Sequence, residues 1–347
     1  MAEKVLVKGN EALAEAAILS GCRHYFGYPI TPQTEIAAYM AKRMPKVGGV
    51  FLQAESELAA ANMVFGAAGA GARALTSSSS PGISLKAEAL SYIAGCDLPC
   101  VVVNIVRAGP GLGGIQPAQS DYYQATKGHG HGDYQMIVLA PSSVQEIIHL
   151  TADAFDLADL YRMPVMIMGD GMLGQMMEPV EFDLGERRKL PEKDWATTGT
   201  DMKRKHNIIN SLIMNPDDLE ACVRARYERY EQIKATEARA EEYMITAYGT
   251  TARIVKNAIV ELRKKGIKVG LVRPITLWPF PEATYKKYAD KVSAILSVEM
   301  SMGQMVDDVR LAVNDKVPVH FYGRTGGNIP YPDEIIKAME EIAGGDK

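Results

Sequence analysis

Three side chains with binding or catalytic potential follow short apolar segments in the first part of the sequence: Thr31, Glu57 and Arg107. A threonine hydroxyl at the start of a helix suits an anionic ligand such as a carboxylate. A glutamate carboxyl that is removed from water can share a proton with a ring nitrogen. An arginine guanidinium stays charged and binds a carboxylate through two parallel hydrogen bonds. The three residues are therefore candidates for an active site.

Two prolines fix the chain around Thr31. Pro29 and Pro32 each restrict φ and lack a backbone N–H, so residues 28–32 cannot continue a strand or lie inside a helix. The helical pattern of residues 33–40 then predicts Pro32 in the first helical turn and Thr31 at the N-cap. Threonine also occupies N-caps for structural reasons alone, so a capping role is the alternative interpretation.

Glu57 begins a predicted helix that is almost entirely apolar. The short run of residues 49–54 predicts a strand of a parallel sheet that is covered on both faces. Among residues 58–68, only Asn62 is polar. We expect such a helix to be buried nearly all round, and its first carboxylate with it. Glu55 is the alternative to Glu57, since both acids fit the positive end of the helix dipole.

A serine-rich turn and an arginine follow the next two predicted strands. Residues 76–80 lead into Pro81 and Gly82 and then into a helical pattern. Hydroxyl groups and free N–H groups at a helix start can bind an anion or a polar ring, although a solvated loop is equally compatible with the sequence. Arg107 directly follows the apolar run of residues 101–106.

Residues 1–185 alternate short apolar runs with helical patterns. The predicted strands are His24–Gly27, Gly49–Ala54, Ala72–Thr76, Leu98–Val106, Gln135–Leu139 and Met163–Met168. Such alternation predicts an α/β fold with a parallel sheet and helices on both faces. Because ligands gather at the carboxyl ends of such strands, Thr31, Glu57, the serine turn and Arg107 are expected to meet there.

The rest of the chain divides into a charged helical linker, residues 186–242, and a smaller α/β domain, residues 243–347. A long helix is predicted after Asn215, with an apolar stripe that docks on a domain or partner. The predicted strands of the last domain are Tyr243–Tyr248, Lys268–Val272, Ala294–Glu299 and Val319–Tyr322. No chemistry is assigned to residues 299–304.

Composition excludes several classes of protein. The 347 residues carry a formal net charge of -4. The sequence therefore has no excess of basic residues that would indicate nucleic-acid binding. No apolar run reaches the length of a membrane span, and no signal segment precedes the first helix. The four cysteines include no CxxC pair, so neither an iron–sulfur cluster nor a zinc site is expected on this chain. Reduced thiols are typical of a cytoplasmic protein.

Two further motifs are given no chemical role. Residues 109–114 match G-x-G-x-x-G after a strand, but Ile115-Gln116-Pro117 cannot begin the helix that a dinucleotide site requires. We interpret them as a loop over the substrate site. His129 and His131 lie in a glycine-rich loop without a third ligand nearby, so no metal site is predicted.

The motifs at residues 28–32, 55–60 and 80–82 resemble those of the alpha subunit of the thiamine-diphosphate-dependent 2-oxoacid:ferredoxin oxidoreductases. The pyrimidine-binding domain of that family carries a Tyr-Pro-Ile-Thr-Pro turn, an acid-x-Glu-x-Ala-Ala helix start and a Ser-Pro-Gly or Ser-Gly-Pro-Gly turn. Order and spacing agree, and the resemblance continues to the C-terminus. It implies a thiamine pyrimidine-binding domain in residues 1–185 and a transketolase C-terminal-like domain in residues 243–347.

The resemblance also implies roles for individual residues. Glu57 corresponds to the catalytic glutamate that bonds N1′ of the aminopyrimidine, which lets the cofactor's own 4′-imino group remove the C2 proton. Thr31 and Arg107 correspond to the residues that contact the 2-oxoacid. The cofactor contacts expected in addition are Tyr28, Pro29, Ser80 and Gly82.

Partner subunits are expected from what this chain lacks. Gly169-Asp170-Gly171 imitates the start of the diphosphate and magnesium motif of thiamine enzymes, but the next asparagine, Asn207, is too far along the chain to complete it. Thiamine diphosphate is therefore expected to be shared with a beta subunit that carries the diphosphate and Mg motif. Iron–sulfur clusters are expected on a ferredoxin-like subunit, with ferredoxin as electron acceptor.

The substrate expected from the resemblance is a 2-oxoacid, with coenzyme A as acyl acceptor. Residues 113–134 resemble the branched-chain 2-oxoisovalerate (3-methyl-2-oxobutanoate) members. A 2-oxoglutarate or pyruvate enzyme is the alternative, as is the half of another thiamine enzyme. A non-catalytic subunit-packing module is the alternative from a different class.

Overall fold

The computed structural model describes residues 4–128, 130–241 and 245–345. Its strands are β1 (Val5–Lys8), β2 (His24–Gly27), β3 (Val50–Gln53), β4 (Ala74–Ser78), β5 (Cys100–Val106), β6 (Ile137–Leu139), β7 (Pro164–Asp170), β8 (Met177–Val180), β9 (Ala240–Glu241), β10 (Ile245–Thr246), β11 (Leu271–Pro274), β12 (Thr276–Trp278), β13 (Ile295–Glu299) and β14 (Val319–Gly323). Its α-helices are α1 (Gly9–Leu19), α2 (Thr34–Arg43), α3 (Glu57–Gly69), α4 (Pro81–Gly95), α5 (Tyr122–Thr126), α6 (Val144–Tyr161), α7 (Gly171–Gln175), α8 (Pro216–Glu237), α9 (Gly249–Lys264), α10 (Glu282–Ala289), α11 (Met305–Val313) and α12 (Pro332–Gly345).

The larger sheet has seven strands in the order β12-β6-β7-β5-β4-β2-β3. Strands β2 to β7 pair in parallel, whereas β12 is antiparallel to β6. Strands β5 and β7 are buried along their whole length, which explains their continuous apolar sequence. The predicted α/β fold with a parallel sheet is confirmed, and all six strands predicted in this part of the chain are present.

The chain reverses its direction of travel across this sheet after β3. From β2 it moves outward to β3, and from β3 it returns past β2 to β4. Because crossovers between parallel strands are right-handed, α2 covers one face of the sheet and α3 and α4 cover the other. A crevice opens at the carboxyl ends of the strands where such a reversal occurs. The crevice here lies between β2 and β4.

The smaller sheet has five strands in the order β14-β13-β10-β11-β9. It belongs to the C-terminal part of the chain, but β12 leaves that part and joins the larger sheet beside β6. The predicted boundary between residues 242 and 243, and the start of the strand predicted at Tyr243, lie outside the described residues.

The two parts are joined by buried polar contacts. Gln119 is 2% exposed and donates to the Tyr248 carbonyl oxygen at 3.0 Å. Its Oε1 accepts hydrogen bonds from Thr251 at 2.8 Å and from the Met300 N–H at 3.0 Å. These bonds fix the segment after β5 against the C-terminal part.

Two expectations about burial were wrong. Strand β3 is the edge of the sheet rather than a covered strand, and Val50 is 46% exposed. Helix α3 is buried on one side only, since Leu58, Asn62 and Gly66 are exposed on the other, Leu58 to 41%. The apolar stripe of α8 docks within the chain at Tyr230 and Ile233, which are buried, whereas Leu219 is 43% exposed.

The sequence patterns missed the pair of strands β1 and β8, which form a separate antiparallel sheet. Among the described residues, no helix is both long and apolar enough to cross a membrane.

Glu299 is a fully buried carboxylate of the C-terminal part. Its oxygens accept hydrogen bonds at 2.8 to 3.2 Å from the backbone N–H groups of Gln304, Met305 and Val306 and from the hydroxyls of Ser297 and Ser301. Glu299 therefore holds the start of α11, a role that the sequence did not indicate.

We predict that Glu299→Gln lowers the free energy of unfolding by at least about 2 kcal/mol, because one acceptor oxygen becomes an NH₂ group that faces buried donors. Denaturant unfolding of the chain measures the change. Asp290→Asn is the control, since Asp290 pairs with Lys316 at 3.2 Å on the surface and such pairs contribute at most about 1 kcal/mol. Equal effects of the two variants would contradict the prediction.

Candidate functional site

The turn after β2 carries Thr31, but not at a helix N-cap. The Gln33 N–H donates to the Ile30 carbonyl oxygen at 3.1 Å, so residues 30–33 form a separate turn. Helix α2 begins only at Thr34, with Gln33 at its N-cap. The predicted N-cap role of Thr31 was therefore wrong. Thr31 is exposed.

Polar side chains inside the fold hold this turn in place. Gln33 is fully buried, and its Oε1 accepts a hydrogen bond from Ser77 at 2.6 Å. The Ser77 hydroxyl also bonds the Tyr25 hydroxyl at 2.7 Å. Asn10 of α1 donates to the Pro32 carbonyl oxygen at 2.8 Å. Residues of β2, β4 and α1 thus fix the turn.

Glu57 is the first residue of α3 and is 5% exposed. Ser56 precedes it as the N-cap, and its hydroxyl accepts a hydrogen bond from the Ala59 N–H at 3.1 Å. Glu55 is exposed. The structure therefore distinguishes between the two acids that the sequence left as alternatives, since only Glu57 is removed from water.

Gly82 lies directly against the Glu57 carboxylate. A Cβ atom at Gly82 would lie 2.6 Å from Glu57 Oε1 and 2.1 Å from Ser78 Oγ. Real Cβ atoms do not approach other atoms so closely, so only glycine fits here without a shift. The absent side chain lets the first turn of α4 lie directly against the acid.

Ser80 joins this region to the end of β5. It has φ 23° and ψ -81°, which is a strained backbone conformation for a residue other than glycine. Its N–H donates to Asn104 Oδ1 at 3.0 Å, and its hydroxyl donates to the Arg107 carbonyl oxygen at 3.2 Å. Asn104 in turn donates to Asp121 at 2.9 Å. Burial raises the pKa of Asp121, while hydrogen bonds from Ser80 and Asn104 oppose that rise.

Arg107 follows β5 and is 6% exposed. Its guanidinium donates to the Thr31 carbonyl oxygen at 3.0 Å and to the Leu112 carbonyl oxygen at 2.9 Å. The structure therefore brings Arg107 into direct contact with the turn that carries Thr31. The same bonds tie the glycine-rich loop after β5 to that turn.

Several buried polar atoms at this edge have no hydrogen-bond partner among the described residues. They include Ser78 Oγ, Ser79 Oγ and Arg107 Nε. A buried donor without a partner costs roughly 1 to 3 kcal/mol, so such atoms indicate a place where a ligand completes the hydrogen bonding. Together with the close approach at Gly82 and the buried Glu57 carboxylate, they fit a polar aromatic ring such as an aminopyrimidine.

A cleft of about 640 Å³ adjoins this edge. Ser80, Ala108 and Asp121 line it from the larger sheet, and Met302 and Thr325 line it from the C-terminal part. Of the predicted cofactor contacts, Ser80 lies on the cleft and Gly82 against Glu57. Tyr28 and Pro29 lie in the turn after β2, where Tyr28 is 37% exposed.

The motifs that received no role behave as loops and caps. Gly114 N donates to the Ala108 carbonyl oxygen at 2.8 Å, and the next helix begins only at Tyr122, so residues 109–114 form no dinucleotide fingerprint. Asp170 caps α7 by accepting from the Met172 N–H at 2.9 Å. His131 is exposed, whereas His129 lies outside the described residues. No group of three or more possible metal ligands occurs within the described ranges.

Comparison with known families matches nearly the whole chain. Residues 15–244 match the family model described as pyruvate flavodoxin/ferredoxin oxidoreductase, thiamine diphosphate-binding. Residues 241–335 match the model of pyruvate:ferredoxin oxidoreductase core domain II.

Curated relatives cover the chain from end to end. The chain is 47% identical to the ketoisovalerate oxidoreductase subunit VorB of Methanothermobacter marburgensis, over 98% of this chain and 98% of the relative. It is 35% identical to the 2-oxoglutarate synthase subunit KorA of Archaeoglobus fulgidus, over 97% of this chain and 99% of the relative.

Two solved structures share the fold. The 2-oxoglutarate:ferredoxin oxidoreductase of Magnetococcus marinus is 29% identical with a TM-score of 0.87, and the match covers 98% of this chain and 65% of that chain. A split-gene transketolase, 15% identical with a TM-score of 0.60, matches over 96% of this chain and 97% of that chain. The fold and the first family match therefore place the chain among the thiamine-diphosphate-binding α/β proteins. Within that class it belongs to the pyruvate flavodoxin/ferredoxin oxidoreductase family, as a subunit of a 2-oxoacid:ferredoxin oxidoreductase.

We predict that Gly82→Ala lowers kcat of the assembled oxidoreductase on the order of 100-fold, because the new methyl group displaces the Glu57 carboxylate. The chain should still fold, since alanine favours a helix more than glycine does. Steady-state kinetics of the enzyme purified with its partner subunits provide the measurement. Gly199→Ala is the control, because nothing lies within 4 Å of a Cβ atom there. Unchanged turnover in Gly82→Ala would show that the close approach has no role.

Proposed function

We propose that this chain is the alpha subunit of a 2-oxoacid:ferredoxin oxidoreductase and supplies the pyrimidine half of a thiamine diphosphate site. Glu57 holds the ring nitrogen N1′ in this proposal. The observation that carries it is the burial of the Glu57 carboxylate against Gly82, beside the unpartnered hydroxyls of Ser78 and Ser79.

Thiamine diphosphate supplies, when bound, the nucleophilic carbon and the electron sink that decarboxylation of a 2-oxoacid requires. The residues of this chain orient that chemistry. The Glu57 carboxyl holds a proton at N1′, and its burial excludes water that would compete for that proton. The buried hydroxyls of Ser78 and Ser79 have no partner among the described residues and would bond a polar ring edge, and Gly82 lets the first turn of α4 lie directly against the acid.

Thr31 and Arg107 bind the substrate carboxylate in this proposal. Thr31 is exposed, and Arg107 is held beside it by its bond to the Thr31 carbonyl oxygen. Arg107 Nε remains without a partner among the described residues, so one N–H of the guanidinium is available to an anion. Tyr28 and Pro29 belong to the same turn.

The substrate we propose is a branched-chain 2-oxoacid such as 2-oxoisovalerate, with coenzyme A as acyl acceptor. The higher identity to the ketoisovalerate relative than to the 2-oxoglutarate relative supports this choice. So does the loop at residues 108–120, which carries no charged side chain. It presents Leu112, 83% exposed, and Ile115, 57% exposed. An aliphatic substrate tail fits such a loop, whereas the second carboxylate of 2-oxoglutarate needs a cation.

Partner chains supply the remaining groups in this proposal. A beta subunit carries the diphosphate and Mg motif, since Asp170 of this chain is used as a helix cap. A ferredoxin-like subunit carries the iron–sulfur clusters and passes electrons to ferredoxin. The cysteines of this chain support the placement of the clusters on another subunit. Cys22 and Cys100 are buried in the core, whereas Cys222 is exposed.

We predict that Glu57→Gln lowers kcat by about 100-fold or more, because the amide cannot exchange a proton with the ring nitrogen. The assay is reduction of a low-potential electron acceptor by the chain co-purified with its partners. Glu55→Gln is the matched control, since Glu55 is exposed near the same helix start. If Glu57→Gln retains full turnover, the chain is a non-catalytic packing module.

We further predict that the assembled enzyme has its highest kcat/KM with 2-oxoisovalerate when 2-oxoglutarate and pyruvate are compared under the same conditions. We expect at least about a tenfold preference over 2-oxoglutarate, because burying the distal carboxylate of 2-oxoglutarate without a cation is unfavourable. A preference for 2-oxoglutarate would contradict the assignment of substrate class and leave the thiamine site unaffected.

A further inference from the structure

One charged side chain near the site is not used by the function proposed above. Lys86 lies on α4 and is fully buried. It occupies the inner side of the helix together with Ile83 and Leu90, where an apolar residue is the usual choice. The side chain points to the region between α4, β4 and the first turn of α3.

The partners of Lys86 connect it to Glu57. Lys86 Nζ donates to the main-chain carbonyl oxygen of Glu57 at 3.2 Å and to Thr76 Oγ1 at 2.9 Å. Burial lowers the pKa of Lys86 to about 8, and the negative charge of Glu57 opposes that change. Thr76 is the partner that β4 contributes, and it carries no charge.

Stability alone does not account for a lysine at this position. Burying a cation is unfavourable, and apolar side chains of similar volume often replace buried charges with equal or greater stability. The methylene stem of Lys86 already fills the space that a methionine would fill. Its ammonium group therefore acts on what it contacts, which is the start of α3 and the acid located there.

Resting on the function proposed above, we propose that Lys86 is a positioning residue for Glu57. Its ammonium group fixes the main chain of Glu57 in the first turn of α3 and places a positive charge beside the carboxylate. The position of Glu57 against Gly82 depends on this bond. Because small displacements of a reacting group reduce rates strongly, loss of the bond is expected to slow the reaction. The same positive charge lies near the proton that Glu57 and the ring nitrogen share in the proposed function.

The test uses Lys86→Met and Lys86→Gln in the enzyme assembled with its partner subunits. Lys86→Met removes the charge and both hydrogen bonds while keeping the length of the side chain, and Lys86→Gln keeps a donor without the charge. We expect Lys86→Met to lower kcat by about 10-fold or more, with the KM for the oxoacid unchanged. Lys86→Gln should recover part of that loss if its amide reaches the Glu57 carbonyl oxygen.

A second measurement does not depend on turnover. Near-ultraviolet circular dichroism of bound thiamine diphosphate responds to protonation of its aminopyrimidine ring. We expect the pH midpoint of that signal to move by about one pH unit in Lys86→Met, because the neighbouring positive charge is absent. In the enzyme with Lys86 present, the signal should change again near the pKa of about 8 at which this lysine loses its proton.

The control is Lys42→Met, an exposed lysine in the last turn of α2, which should leave both signals unchanged. Lys86→Met and Lys86→Gln with unaltered kcat and unaltered circular dichroism would overturn the inference about Lys86. If Lys86→Met fails to assemble, Lys86→Gln decides by the same two measurements. If Glu57→Gln also leaves both unaltered, the proposed function fails as well, so the two failures can be told apart.

Discussion

The site depends on one short distance that only glycine allows. Helix α4 begins directly against the Glu57 carboxylate because Gly82 has no side chain, and a Cβ atom there would lie 2.6 Å from Glu57 Oε1. This approach brings the ends of α3 and α4 together on the same side of the crevice between β2 and β4. The serine turn, the acid and the arginine can then face one ligand, although they are far apart in the sequence.

The fold was largely predictable because its strands are short, apolar and separated by helical patterns. Strand β2 has the predicted bounds, and β3, β4, β5, β6 and β7 overlap their predictions closely. The rule that ligands lie at the carboxyl ends of parallel strands was sufficient to bring Thr31, Glu57 and Arg107 to one edge. Local sequence could not place Thr31 within its turn, since the helix start depends on a hydrogen bond between Gln33 and Ile30.

Other parts of the site have no local signal. Gln33 and Ser77 bond each other inside the fold, and Asn104 joins Ser80 to Asp121 from the middle of an apolar strand. The hydrogen-bond partners of a single polar residue in an apolar segment can be identified only when the order of the strands in the sheet is known. Lys86 differs from these residues, because a lysine at a core position of a helix can be recognised from the sequence pattern alone. Its partner Glu57 cannot be recognised in that way.

Helices α3 and α4 both carry exposed leucines. Leu58 is 41% exposed and Leu85 is 58% exposed, so apolar surface remains uncovered beside Glu57. A polar ring held against Glu57 from one side alone would still face water on the other, and water weakens the interaction between a carboxylate and a ring nitrogen. A partner that covers these helices would remove that water and the exposed apolar surface together. In the proposed assembly, one contact with a partner subunit would thus cover both the exposed apolar surface and the acid.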